Sequence, residues 1–389
     1  MSFALPGWKH VRTLRATGIA VVLLAVFLAY RLFFAAPDGP SPELLVLAGK
    51  TADTTWEVRI AGEDLDERLR ERARALIETR LAEVDLWFSS KRPDSEVARF
   101  NANRTTDPFD VSSPTAELVA YAIELCKWSG SAFDITVGPL VARWRVAGDG
   151  KRADPPSQAE IDAYLDHTGA EIIHVGRGNP KSGGFLHKFE PEVGIDLGPV
   201  TSGYAADHIA GGLFDLGRLD FFVEVGGKIY AAGHRPDGKP WRVAIDEPIA
   251  TDPQVHAILE LSDQGFATAT AYPGGGGEAG GDGERRARLI DPRTGRPIEN
   301  GMASATVIAP TATQAAAFST TLMVMGAKDG LALAEQWNLG AMTLARAAAG
   351  SLHEERNALY PKPLDPVPDP SDAPPLAAAP PVADRIPNP

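Results

Sequence analysis

Residues 194–232 put an acid, small residues and paired glycines into one short span, which begins Gly-Ile-Asp-Leu-Gly-Pro-Val-Thr-Ser-Gly-Tyr-Ala-Ala-Asp-His-Ile-Ala. Gly194–Leu197 reads as a short extended segment, and Gly198, Pro199 and Gly203 punctuate a turn after it. Tyr204, His208–Ile209 and Leu213 then recur at helical spacing, and Gly217 stops the helix. Strand, glycine turn and strand follow in Asp220–Val225, Gly226-Gly227 and Ile229–Ala232. A tight backbone beside a helix N-terminus, with Asp196 at its entrance, suits a phosphate-bearing ligand. The same pattern also serves an ordinary βαβ-like core with turn glycines.

A second acid, Asp134, stands inside the apolar run Ala-Phe-Asp-Ile-Thr-Val-Gly-Pro at 132–139. It could meet a ligand, or Asp134 or Thr136 could cap a helix. Other chemistries are missing. There is no Walker-type phosphate loop, no Gly-x-Ser-x-Gly elbow and no His-Glu-x-x-His. The eight histidines are scattered, which argues against a histidine metal centre. Cys126 is the sole cysteine, so no intrachain disulfide is possible.

The elements that must position these residues interleave. Leu45–Leu47 and Trp56–Ile60 read as strands, and Leu65 to about Trp87 as a long amphipathic helix with paired Arg and Glu on its solvated face. Phe88–Asn103 reads as a polar, arginine-bearing loop. Ser113, with Pro114 at the first helical position, opens a helix through Trp128. Ser157-Gln-Ala-Glu160 is a capping box for Ile161–His167. Trp241–Ile245, Ala257–Leu261 and Ala303–Ala309 are further strands, and Ala267–Tyr272 leads into a loop at Pro273–Arg286. Seven of eleven residues in 273–283 are glycine. Thr313 caps a long buried helix, Gln314–Met325, which Gly326 ends. Strands and helices mix without a regular parallel wind, so the class is α+β.

The chain has 389 residues, a net charge of −13 and 44% hydrophobic residues, which indicates a globular protein without nucleic acid as a partner. Residues 1–15 are basic, with Lys9, Arg12 and Arg15. Residues 16–36 are apolar apart from Arg31 and, at about 1.5 Å per residue, just span a bilayer core of about 30 Å. They read as a membrane anchor or a signal peptide cleaved near Ala35-Ala36-Pro37. Positive charge on the N-terminal side puts that side in the cytoplasm and the body beyond the membrane. Residues 42–360 are that body, and 361–389, rich in Pro, Ala and Asp, form a disordered tail.

Taken together and in order, Thr51–Val58, Arg92–Asn101, Ala132–Pro139, Ile195–Ala210, Val225–Gly227, Leu289–Pro297 and Thr306–Gly326 resemble the ApbE family, the FAD:protein FMN transferases. The most specific pieces are Pro-Asp-Ser-Glu at 93–96, Phe-Asp-Ile-Thr-Val-Gly-Pro at 133–139, Gly-Tyr-Ala-Ala-Asp at 203–207, Ile-Asp-Pro-Arg-Thr-Gly-Arg-Pro at 290–297 and Val-Ile-Ala-Pro-Thr-Ala at 307–312. The resemblance implies an ApbE-type, T-fold-like domain that binds FAD with a divalent metal, usually Mg2+. It would transfer FMN to a Thr or Ser of an exported or membrane flavoprotein and release AMP. It also implies a body in the bacterial periplasm, held by a single inner-membrane span or released after signal cleavage.

Carried over by position, Ala132, Phe133, Asp134, Asp196, Ser202 and Leu289 would line the flavin site, with Ala52 and Phe88 nearby. The Pro199 carbonyl and Thr320 would hold the metal, and Thr320 and Arg288 would act at the reacting phosphate. Five positions depart from the family. Ala316 replaces the usual metal-ligand Asp, Ser202 a charged residue and Arg288 a His. Thr51-Ala-Asp-Thr54 and Ala269-Thr270 replace the entrance and flavin-side motifs. A hard divalent cation takes oxygen ligands, and alanine offers none. Asp53, Glu224 or Glu299 could supply the missing carboxylate, or Arg288 the missing charge. The alternative is a non-catalytic relative that binds FAD or a partner without transfer, as a flavin carrier or assembly factor.

Overall fold

Period-two alternation in the strands decides which side chains face which layer. A computed structural model of the chain describes residues 43–51, 54–144, 155–178, 183–248, 254–271, 289–347 and 351–364. The basic segment 1–15, the apolar segment 16–36, Ala52, Asp53, Arg288, the glycine-rich loop and the tail from residue 365 all lie outside the described residues.

The main sheet has eight strands in the order β1 (Glu43–Lys50), β2 (Thr55–Gly62), β6 (Phe221–Val225), β7 (Lys228–Ala232), β10 (Gln264–Thr270), β13 (Met302–Ala309), β14 (Gly340–Arg346) and β15 (Leu352–Arg356). From β2 onward each neighbouring pair is antiparallel. On one face Val58, Val223, Ala267, Val307 and Ala341 share a core with α1 (Glu67–Phe88), α6 (Gly198–Asp215) and α7 (Ala312–Met325). On the other, Phe222, Phe266, Ile308, Met342 and Leu344 meet the hairpin of β8 (Trp241–Asp246) and β9 (Val255–Leu261). All eight residues of β13 are buried, as a strand covered on both faces requires.

A smaller sheet, β3 (Phe109–Val111), β5 (Gly184–Lys188) and β4 (Ile173–Arg177), packs against α3 (Ser113–Trp128). Around it lie α2 (Glu96–Ala102), α4 (Gly138–Trp144) and α5 (Gln158–Leu165), while α8 (Ala327–Gln336) follows α7. The mixed helix and sheet arrangement is the α+β class read from the sequence. The capping box at Ser157 and Glu160 forms as expected. Gly217 follows α6 with φ 74°, and Gly326 ends α7 with φ 83°.

Several local expectations shift. Residues 88–103 are not a continuous loop, because Ser95 caps α2 within them by accepting from the Ala98 N–H. The cap of α3 is Ser112 rather than Ser113. Thr311 caps α7, while the Thr313 hydroxyl donates to Asp207. Gly203 is not a turn residue but lies inside α6. A Cβ there would fall 2.5 Å from the Ala312 carbonyl oxygen, so the glycine lets α6 and α7 touch. Instead of a βαβ crossover, α6 is followed by the antiparallel hairpin β6–β7.

Candidate active site

Two cavities open side by side and share Ser90 and Asp196 in their walls. The first, about 590 Å3, lies between α1, the start of β2 and the first turns of α6. Trp56, Phe88, Ala205 and Val225 make its wall apolar, and Thr54, Thr201 and Ser202 add hydroxyls. Phe88 is held by an edge-on contact with Tyr204, ring centroids 5.0 Å apart. Thr54 and Ser202 converge on Gly226, where an added Cβ would lie 2.9 Å from the Thr54 hydroxyl and 3.1 Å from that of Ser202. The second cavity, about 710 Å3, is walled by α4, α5 and residues 192–196, with Asn101 and Thr136 reaching it. Each lies in the range of about 300–1,000 Å3 that suits one sizeable ligand part.

Asp196 is pinned from both sides. Its N–H donates to the Ile135 carbonyl at 2.8 Å, and its Oδ1 accepts from the Gly198 N–H at 2.8 Å. A Cβ on Gly138 would fall 2.7 Å from the Asp196 Cβ, so the Gly-Pro of residues 138–139 lets α4 approach the acid. The first free N–H of α6 is therefore spent on the protein's own carboxylate. This refines the phosphate reading of residues 194–232, because the helix N-terminus already holds an anion. Asp196 lies in the wall of both cavities. Positive charge stands elsewhere, on Lys50 and Arg74 in the first cavity and Arg104 in the second. The Arg74 guanidinium lies 5.8 Å from the Trp56 ring centroid.

The other predicted residues are less direct. Asp134 is 7% exposed, and its Oδ1 accepts from the N–H and hydroxyl of Thr136 at 2.8 and 2.6 Å. Burial raises its pKa, only partly offset by those donors. It is the capping acid of a short 3-10 turn, and Thr136 is the neighbour that reaches the cavity. Ala132 and Phe133 are buried beside it and line neither cavity. Leu289 leads into the hairpin of β11 (Ile290–Asp291) and β12 (Arg296–Pro297), half-buried against the main core. Sequence reasoning passed over Asn101, whose amide clamps Ile195 with two 2.8 Å bonds.

The described residues do not fit a divalent ion. Ala316 is fully buried and offers a methyl group, and the Thr320 hydroxyl donates to the Ala316 carbonyl at 3.1 Å. Pro199 is exposed in the first turn of α6. Glu299 is exposed. Glu224 pairs in register with Glu57, in phase with Phe222 on the sheet face that carries the β8–β9 hairpin, away from α7. Among the described residues no group of three His, Cys, Asp or Glu side chains could hold a metal ion. A magnesium ion needs near-octahedral oxygen ligation, and this donor set falls short of it.

The fold and cleft define an α+β protein with two adjoining cavities that share Ser90 and Asp196. The sequence matches the ApbE family over residues 52–343, and the chain belongs to that family. An FAD:protein FMN transferase of Salmonella typhimurium is 36% identical over 311 residues, covering 80% of this chain and 87% of that protein. Its counterpart in Escherichia coli K12 is 37% identical over 306 residues, covering 77% and 85%. The flavin transferase ApbE of Vibrio cholerae superposes with a TM-score of 0.70 at 33% identity, covering 82% of this chain and 98% of that one. The apo flavinyl transferase ApbE of Pseudomonas stutzeri gives 0.70 at 30% identity, covering 82% and 96%.

Proposed function

We propose that this protein is an FAD:protein FMN transferase acting on an exported or membrane-bound acceptor. The observation that carries the reading is the pair of cavities joined at Asp196 in a chain of this family. FAD is two nucleotide-sized halves linked by a pyrophosphate, and a cleft of two linked chambers suits such a substrate. The hydroxyl of an acceptor Thr or Ser attacks the flavin-side phosphorus. A new P–O bond forms, the P–O bond to the leaving phosphate breaks, AMP departs, and the hydroxyl proton is released. The protein's part is to orient substrate and acceptor and to balance phosphate charge.

Lys50, Arg74 and Arg104 are the cavity-lining cations among the described residues, and they supply that charge. An N-terminal anchor at residues 16–36, with the body in the periplasm, would put the enzyme beside exported acceptors. That segment lies outside the described residues, and among the described ones no helix is long and apolar enough to cross a membrane. The test is incubation of the full chain with FAD and a Thr-containing acceptor. Release of AMP with one FMN added to the acceptor is expected. FAD bound without AMP release would overturn the transferase reading and leave a flavin carrier.

A further inference from the structure

Lys188 closes β5 with only 1% of its surface exposed, and it lines neither cavity. Its ammonium donates to the carbonyls of Phe100 at 3.2 Å, Asn103 at 2.6 Å and Val193 at 3.1 Å. The Nζ also stands 4.9 Å from the Phe100 ring centroid. All three of its hydrogens are thus committed, and to backbone rather than to a carboxylate. Burying an ammonium is costly unless its hydrogen bonds are complete. A buried lysine kept in this way is a structural pin.

The three carbonyls belong to two segments that must meet. Phe100 and Asn103 bracket Asn101 at the end of α2, and Val193 stands two residues before Ile195. Asn101 clamps Ile195 through both its amide atoms. Asn101, Gly194, Ile195 and Asp196 all line the larger cavity. The ammonium lies behind this wall, joining the helix that supplies the clamp to the segment that is clamped.

We propose that Lys188 is a positioning residue for the flavin-nucleotide cleft, its ammonium holding residues 193–196 against α2 so that Asp196 stands between the two cavities. The proposal takes from the flavin reading only what the cleft binds. A neutral amine would leave two donors for three carbonyls. Burial, then the nearby Arg104, bring the Lys188 pKa down from 10.5 to about 8, with Glu192 acting in the opposite sense. Opening the wall would wet the amine and return its pKa toward 10.5, so opening becomes harder as pH rises above about 8. Global stability moves the same way, because between about 8 and 10.5 the unfolded chain binds more protons at this residue, so its contribution rises with pH.

The experiment compares wild type, Lys188→Met and Lys188→Arg by amide hydrogen exchange at residues 193–196 without ligand from pH 6.5 to 9.5, and by FAD affinity at pH 7. Lys188→Met should exchange faster at 193–196 and bind FAD about tenfold more weakly at pH 7, as expected for loss of one charge-assisted network. Wild-type protection at 193–196 should rise in a step above about pH 8, and Lys188→Arg and Lys188→Met should show no such step. Lys228, also brought to about 8 by burial, is the competing group, so Lys228→Met must keep the pH 8 step. Wild-type protection at 193–196 in Lys188→Met, or loss of the step in Lys228→Met, would overturn the proposal. Should Lys188→Met not fold, the wild-type exchange series decides, since protection at 193–196 that does not change across pH 8 also overturns it. A wild-type protein that binds no FAD sinks the flavin reading instead, and the exchange data still judge Lys188.

Discussion

The Thr320 hydroxyl donates to the Ala316 carbonyl at 3.1 Å, so the two residues whose helical spacing would aim them at one ion satisfy each other instead. Serine and threonine in buried helices commonly bond back in this way. Restoring an acid here tests whether the helix face can still form a metal site. Ala316→Asp puts a carboxylate at a fully buried position and should cost about 1–3 kcal/mol without metal. Added Mg2+ should recover much of that loss in the variant and leave wild type unmoved. Thermal melts with and without Mg2+ read both, and an equal Mg2+ response in the two proteins would refute the donor-set argument.

Asp196 is predicted to separate binding from folding. Asp196→Asn keeps an acceptor for the Gly198 N–H, so unfolding free energy should stay within about 0.5 kcal/mol of wild type. Asp196→Ala leaves that N–H without its partner and should lose about 1 kcal/mol, as for other capping acceptors. Both should weaken FAD binding at least about tenfold if the carboxylate meets the ligand. Urea titrations and flavin fluorescence measure the two effects separately. Unchanged FAD affinity in both variants would reduce Asp196 to a turn residue.

What the sequence showed of this site depended on the distance over which each signal acts. The long strands and α7 were visible because their apolar residues alternate or run nearly unbroken, as in β13, buried throughout, and α7, buried at ten of its 14 residues. Caps moved by one or two residues, to Ser112 and Thr311, because neighbouring Ser and Thr residues compete for the same role. The short helix α2 was hidden because only Val97 and Phe100 of its seven residues are buried, too few for a period. Gly203 read as a turn because its reason lies across the fold, at Ala312. The Asn101 clamp on Ile195 spans 94 residues, and no local pattern announces it. The acid that the two cavities share was legible, but the wall that holds it was not.

Asp207 should be a stability residue although it lies on the cleft helix α6. Its carboxylate accepts from the Ala312 N–H and the Thr313 N–H, both at 2.8 Å, and from the Thr313 hydroxyl at 2.6 Å. It thereby fastens α6 to the first turn of α7. Burial raises its pKa, against the pull of the three donors. Asp207→Ala should cost about 2–4 kcal/mol by stranding two buried N–H groups. A loss under about 0.5 kcal/mol in a urea titration would show that water replaces the acid.

Glu160 gives a pH signature confined to one wall of the larger cavity. Its carboxylate accepts from the Ser157 N–H at 2.8 Å and from the Ser157 hydroxyl at 2.9 Å, with Arg143 3.0 Å away. The Ser157 backbone bond, then its hydroxyl and Arg143, bring the pKa from 4.5 down to about 2. A carboxylate depressed on folding contributes stability that is fully present above about 4.5 and is lost as pH falls through about 2. Glu160→Gln should therefore be less stable than wild type at pH 7, and the gap should close on acidification across that window. Because α5 also carries Ala163 and Tyr164 into the cavity wall, ligand affinity should follow the same trend. Urea midpoints of the two proteins at pH 7 and pH 2.5 provide the measurement. A gap that stays constant between those pH values would mean that the capping box holds α5 without the charge of Glu160.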